Sequence, residues 1–230
     1  MAPSTPPTLY RANGTCATVP YSILAHFGIP FNDVLLRPSS DNMSTGSFYV
    51  AADGSLSHED YLAINPSGYV PALVIPEGEG TTSVTEMPAV LTYIASLVPN
   101  LNLLGATPLD KVKVAEWTAW LQVTVHSYGY VAYLREGRFV EDPAAFGGIK
   151  SRSVDVLKKA FARIEERLAG REFAVGDALT VVDFNLYPYW RWAPFSVEAY
   201  PNFAKHMRKI EKLDGIRKAL DVEGNKLYFD

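Results

Sequence analysis

Strand-forming signals in this 230-residue chain stop near residue 100, and almost everything beyond reads as helix. That switch constrains the fold more than any other feature. In the first part, Thr8 to Ala12 reads as a strand broken by Asn13 and Gly14. Val19, Ile23, Leu24 and Phe27 then recur at helical spacing, with Pro20 suited to a first turn and Gly28 to an end. Phe31 to Leu36 is a second strand, Ala72 to Ile75 a third and Ser83 to Thr85 a weak fourth. Pro88 to Val98 is a helix that stops before Pro99. The order βαβ then ββα predicts an α/β unit over residues 1–100, and the change of pattern at 101–108 marks a boundary. Residues 108–230 are expected to be all-helical, with helices near 109–135, 150–169, 181–192 and 202–213 and a short turn at 216–220. Residues 38–60, rich in Ser, Asp, Asn and Gly, read as a long surface excursion that could contain a hairpin at its one apolar cluster, Phe48 to Ala52, and nothing there predicts a regular core element.

A hydrophobic content of 48 % supports one large core or two smaller ones. The net charge of -4, from 21 basic and 25 acidic residues, offers no electrostatic footprint for nucleic acid or an anionic membrane. Apolar runs such as Tyr69 to Ile75 are too short to cross a bilayer, and the first residues lack a basic stretch followed by an apolar one. A cytoplasmic protein with a small-molecule or protein partner is the expectation. The single cysteine, Cys16, excludes an internal disulfide and a multi-cysteine zinc site. Histidines 26, 58, 126 and 206 include no pair at helical ligand spacing, so no metal site is expected.

Four places carry candidate chemistry. Cys16 lies between the first strand and the first helix. It is either a small buried filler or a thiol whose pKa is lowered by unpaired N–H groups at a helix start. Glu86 and Met87 sit where a strand hands over to a helix, a natural carboxylate site. A proline follows Tyr69 and Val70 in the run INPSGYVPALV (64–74). His126 lies on the first long helix of the second half, in an aromatic stretch. Of Trp120, Tyr128, Tyr130, Tyr133 and Trp192, at most two are expected to touch a ligand, the rest being core.

The run at 64–74, followed by TEMPAVLTYI (85–94), resembles the glutathione-binding core of the glutathione transferase family, and in particular its beta class. The resemblance spans about residues 8–224. It extends through Thr180 and Asp183, which match a helix-capping signature, and through the sequence around Tyr189 to Ala193. It implies an N-terminal thioredoxin-like α/β domain and an all-α C-terminal domain. It also implies a cis bond between Val70 and Pro71, a tripeptide paired to the backbone of Tyr69, Val70 and Pro71, and a γ-glutamyl end held at Glu86 and Met87. Many members have Ser or Thr where Met87 stands, and one lost hydrogen bond weakens binding by about 0.5–1.5 kcal/mol. The resemblance casts Cys16 as the reactive cysteine, with N–H groups at Cys16 and Ala17 polarising a thiol, and His126 as an imidazole steering the sulfur. The expected activity is transfer of glutathione, the co-substrate, to a small hydrophobic electrophile by a homodimer in a detoxification role, with thiol transfer through Cys16 as a second scheme on the same site. Alternatives are a glutathione-dependent isomerase or lyase, and a non-catalytic binding module.

Overall fold

The computed structural model describes residues 5–39 and 49–229. Strand β1 (Thr8–Ala12) leads into α1 (Thr18–His26), then β2 (Asn32–Pro38), β3 (Tyr49–Ala51) and α2 (His58–Ile64). The hairpin β4 (Ala72–Glu77) and β5 (Gly80–Thr85) precedes α3 (Met87–Leu97). The five strands form one sheet in the order β3-β2-β1-β4-β5, with β1 and β2 parallel and the other neighbours antiparallel. Side chains alternate across it, as the period of two requires. Leu9 and Leu73 point into the large core with Ile23, Leu24, Val90 and Ile94 from α1 and α3, whereas Leu36, Ala51 and Ala72 meet Tyr61 of α2 in a smaller cluster. α1 ends where Gly28 takes φ +62°, letting the Ile29 N–H reach the Leu24 carbonyl at 2.9 Å and close the helix.

The α/β and all-α fold class expected from sequence is the one observed, with two additions. Part of the excursion at 38–60, residues 40–48 including Phe48, lies outside the described residues. The remainder corrects the expectation of no regular core element. Ala51 of β3 and Tyr61 of α2 are both fully buried. α2 is nucleated by a capping box in which Ser57 and Asp60 satisfy each other's backbone N–H. A three-residue strand and a seven-residue helix are too short to show a period, so composition alone hid them.

The remaining chain is helical: α4 (Pro108–Trp120), a π-helical stretch at Leu121–Val131, α5 (Ala132–Leu134), α6 (Phe146–Leu168), α7 (Val181–Arg191), α8 (Pro201–Ile210) and α9 (Asp214–Val222). The expected turn at 216–220 is therefore a nine-residue helix, whose Ile216, Ala219 and Leu220 bury against the core. The wide π winding is accommodated by the Ser127 hydroxyl, which donates to the Gln122 carbonyl five residues back. Gly129 on the same stretch permits close packing of α6: a Cβ there would fall 2.5 Å from Leu157. Thr180 and Asp183 cap α7, as their spacing predicts. No helix among the described residues is long and apolar enough to cross a membrane.

Candidate functional site

A cleft of about 870 Å³ runs between the sheet-bearing half and the π-helical stretch. Its sheet-side wall comes from the β1–α1 loop (Asn13 to Cys16), the end of β2 (Arg37, Pro38), Tyr49, the run Tyr69–Val70–Pro71 and the β5–α3 junction (Glu86, Met87). Its helical wall is made by Gln122, His126, Tyr130, Leu134, Arg135, Arg138, Phe139 and Trp192. Seven of the eight residues nominated from sequence thus meet in one place: Cys16, Tyr69, Val70, Pro71, Glu86, Met87 and His126. The eighth, Ala17, does not. Its side chain is fully buried and its N–H donates to the Thr15 hydroxyl at 3.2 Å, so it is not free to polarise a ligand's sulfur.

The Cys16 loop is held from three sides. Arg11, itself buried, makes a two-pronged ion pair with Asp33 at 2.7 and 2.8 Å and donates to Asn13 at 2.7 Å. Thr15 donates to the Ala12 carbonyl at 2.7 Å. From the far end of the chain, Glu223 after α9 accepts from the Gly14 N–H at 3.3 Å and the Thr18 hydroxyl at 2.6 Å. The last helix therefore fixes the loop that carries the cysteine.

The state of Cys16 bears on both readings that its position allows. Its thiol is buried and donates to the Val70 carbonyl at 3.5 Å. Burial pushes its pKa up to about 12, with the Glu86 charge adding to the rise and only its own backbone N–H opposing it. A helix start lowers a thiol pKa where the sulfur is hydrated and the N–H groups are unpaired. Here the residue is buried and neighbouring N–H groups are engaged: Thr18 donates to the Thr15 carbonyl at 3.2 Å and Val19 to the Cys16 carbonyl at 3.0 Å. Alkylation of the folded protein by iodoacetamide should accordingly stay slow through pH 8 and accelerate only toward pH about 12, while the denatured chain reacts as an ordinary thiol. Rapid labelling at neutral pH would contradict the burial. Because the folded pKa is raised, the same group lowers stability as pH climbs from the unfolded thiol range toward about 12.

His126 sits in the opposite wall, its ring 6.4 Å from those of both Tyr189 and Trp192. Burial, and secondarily the Arg138 charge, lower its pKa to about 4. At neutral pH it is an uncharged imidazole able to donate or accept one hydrogen bond, and a weak base. Behind it Tyr130 stacks on Tyr189 at 5.6 Å and donates its hydroxyl to the Tyr189 carbonyl.

At the β5–α3 junction Glu86 takes φ +64°, a left-handed conformation unusual for a residue with a side chain. It precedes the first turn of α3, where backbone N–H groups are unpaired by the helix itself. Met87 is buried in the core at 3 % exposure, so it offers the cleft backbone rather than side chain. The Val70–Pro71 peptide is cis, as the resemblance implied. The preceding turn is pinned at Tyr69, whose carbonyl accepts from the Tyr61 hydroxyl at 2.6 Å and the Asn65 amide at 2.7 Å. Across the cleft the Arg138 guanidinium lies over the Tyr69 ring, 4.4 Å from its centroid.

Sequence reasoning missed Arg37, Tyr49, Gln122, Arg135, Arg138 and Phe139, which the fold delivers to the same cleft. The spacing of Arg135 and Arg138 just after a long helix was the one available signal. Of the five aromatic residues weighed from sequence, Tyr130 and Trp192 reach the cleft. Trp120 instead lies beneath Arg163 and Tyr133 against Lys150, and Tyr128 is exposed to solvent.

Comparison with known proteins agrees with this layout. Residues 150–214 match the family model described as glutathione S-transferase, C-terminal domain. Glutathione S-transferase GstA of Escherichia coli O157:H7 is 25% identical over 222 residues, covering 95% of this chain and 99% of the relative. The structure of a sphingomonad glutathione S-transferase complexed with glutathione is 28% identical, with a TM-score of 0.77 and coverage of 94% of this chain and 98% of that one. A bacterial beta-class glutathione S-transferase from Sphingomonas chungbukensis is 25% identical, with a TM-score of 0.76 and the same coverage. The matched helical domain, the end-to-end relative and the shared fold make this chain similar to glutathione transferases, those of the bacterial beta class among them.

Proposed function

We propose that the chain is a glutathione-dependent transferase, and that the residues gathered in the cleft hold the tripeptide and its acceptor. The observation that carries this reading is the convergence of Cys16, Val70, Pro71, Glu86, Met87 and His126 on one cavity of about 870 Å³, a size suited to two small molecules side by side. The peptide's cysteinyl unit would pair with the Val70 backbone in the manner of an added strand. Its γ-glutamyl carboxylate would meet the amino end of α3, and its ammonium the Glu86 carboxylate. Arg37, at the end of β2, is suited to the glycyl carboxylate.

The state of Cys16 separates the two chemical schemes. Thiol transfer through a mixed disulfide requires the Cys16 thiolate. Burial holds Cys16 as the neutral thiol at pH 7, where an ordinary thiol is a few per cent ionised. A neutral thiol is instead a hydrogen-bond donor. Directed at the sulfur of bound glutathione, it would stabilise that sulfur as the thiolate, helped by neutral His126. The glutathione thiolate then forms a carbon–sulfur bond to the electrophile as the leaving group departs with its electron pair, the thiol proton having passed to solvent. Conjugation is thus the favoured activity.

Calorimetric titration with glutathione, paired with a conjugation assay on 1-chloro-2,4-dinitrobenzene, tests the reading. Saturable binding with turnover is expected. Glu86→Gln should weaken binding by about 1.5–3 kcal/mol, roughly ten- to a hundredfold, through loss of the ammonium's partner. Binding without turnover would point to a non-catalytic module, and no binding at millimolar glutathione would end the proposal.

A further inference from the structure

We infer that Gln122 sets which electrophiles this cleft converts: its side-chain amide, anchored by Tyr189, donates a hydrogen bond to the acceptor oxygen on which negative charge builds up. The acceptors so favoured are uncharged electrophiles activated by a nitro or carbonyl group. The inference rests on the transferase reading above and deepens it. Gln122 lies on the π-helical stretch, four residues before His126, and lines the cleft. Its Nε2 donates to the Tyr189 hydroxyl at 3.2 Å. That bond takes one of the two N–H groups of the amide. The second N–H and the amide oxygen have no partner among the described residues.

Tyr189 is a rigid anchor. It is fully buried, its ring stacked on Tyr130 and set edge-on to Trp192 at 5.9 Å. An amide held at one N–H by an immobile partner has the direction of the other preset, so a ligand gains that bond without ordering a free side chain. Tyr189 also ties the amide to the reacting centre. The Cys16 charge acts on its phenol, so the cysteine lies within electrostatic reach of the hydroxyl that Gln122 grips. A glutathione sulfur beside Cys16 would then face the Gln122 amide on the helical wall. The hydroxyls of Tyr130 and Ser127 on that wall are already committed, to the carbonyls of Tyr189 and Gln122. When a thiolate attacks a nitro- or carbonyl-activated carbon, an electron pair moves onto the oxygen of the activating group. An N–H aimed at that oxygen binds the charged form more strongly than the uncharged one, and so lowers the barrier as well as binding the acceptor.

Two uncharged acceptors with the same leaving group read this out: 1-chloro-2,4-dinitrobenzene, whose attack places charge on nitro oxygens, and benzyl chloride, which has no oxygen. In each, the glutathione thiolate forms the carbon–sulfur bond and chloride leaves with its electron pair, the thiol proton having passed to solvent. Gln122→Leu should lower kcat/KM for the dinitrobenzene by about tenfold and for benzyl chloride by less than about twofold, with the KM for glutathione unchanged. Gln122→Glu, which keeps the shape and loses both N–H donors, should show the same dependence on acceptor. Tyr189→Phe, which removes the anchor, should give a smaller loss with that dependence retained. Equal proportional losses with the two acceptors overturn the inference, since they assign Gln122 and Tyr189 to packing. Unchanged turnover in Gln122→Leu also overturns it, as does a loss that comes wholly from a higher KM for glutathione, which assigns the amide to the tripeptide. Failure of the transferase reading itself is distinguished by calorimetry, where glutathione would not bind the unaltered protein at all.

Discussion

Gly215→Ala unseats the last helix and lowers the melting temperature by about 6–12 °C, the shift expected for a loss of ~3 kcal/mol in a chain of this size. A Cβ at this position would lie 2.0 Å from the Ser22 carbonyl oxygen and 2.7 Å from the His26 backbone nitrogen. Both contacts are with the backbone of α1, so no rotamer change relieves them. α9 must move outward, and Ile216, Ala219 and Leu220 lose their burial with it. The consequence reaches the cleft. Glu223 follows α9 and grips the Gly14 N–H and Thr18 hydroxyl, so a displaced helix loosens the loop that aims Cys16. Thermal unfolding together with Cys16 alkylation at neutral pH measures both effects, and faster alkylation should accompany the lower melting temperature. Gly148→Ala on α6, where a Cβ meets nothing within 4 Å, is the control and should be neutral or mildly stabilising. Equal behaviour of the two variants would contradict the packing described.

Asp183→Ala is expected to cost about 3–5 kcal/mol, the scale for removing one partner from a buried charged network. The Asp183 carboxylate is fully buried and accepts from the Ala174 N–H at 2.8 Å, the Thr180 N–H at 2.7 Å and the Thr180 hydroxyl at 3.0 Å. His206 of α8 approaches it to 2.9 Å. Deletion strands two backbone N–H groups in a dry interior, and each carries a desolvation cost of about 1–3 kcal/mol. It also releases the amino end of α7, the helix that supplies Tyr189 to the wall behind His126. Chemical denaturation should show a lower midpoint with an unchanged slope. Asp183→Asn, which keeps the volume and one acceptor oxygen, should lose distinctly less. A loss under ~1 kcal/mol for the alanine variant would show the network to be a bystander.

What could be read in the sequence was whatever a few adjacent residues determine. The capping pair Thr180 and Asp183, the turn at Tyr69 to Pro71 and the strand-to-helix junction at Glu86 all depend on local chemistry, and each appears where its motif lies. Arg37, Tyr49 and the pair Arg135 and Arg138 belong to three separate segments, and only the chain's path across the sheet and around the π-helical stretch brings them together. The ionisation of Cys16 stayed open between two readings for a related reason. Its position at a helix start is written in the sequence, but its burial depends on distant groups. Tyr49 and Tyr189 lie close enough for the cysteine's charge to act on their phenols, and one comes from β3 and the other from α7. The same holds for His126, whose lowered pKa reflects burial and Arg138 rather than its neighbours in the chain.

A crystal structure of the protein grown with millimolar glutathione puts the central assignment to the test. The tripeptide should be found with its cysteinyl backbone on Val70, its γ-glutamyl end at Glu86 and the first turn of α3, and its sulfur beside an unmodified Cys16. A cleft without the tripeptide, or a peptide bound with its sulfur turned away from Cys16 and His126, would contradict the assignment.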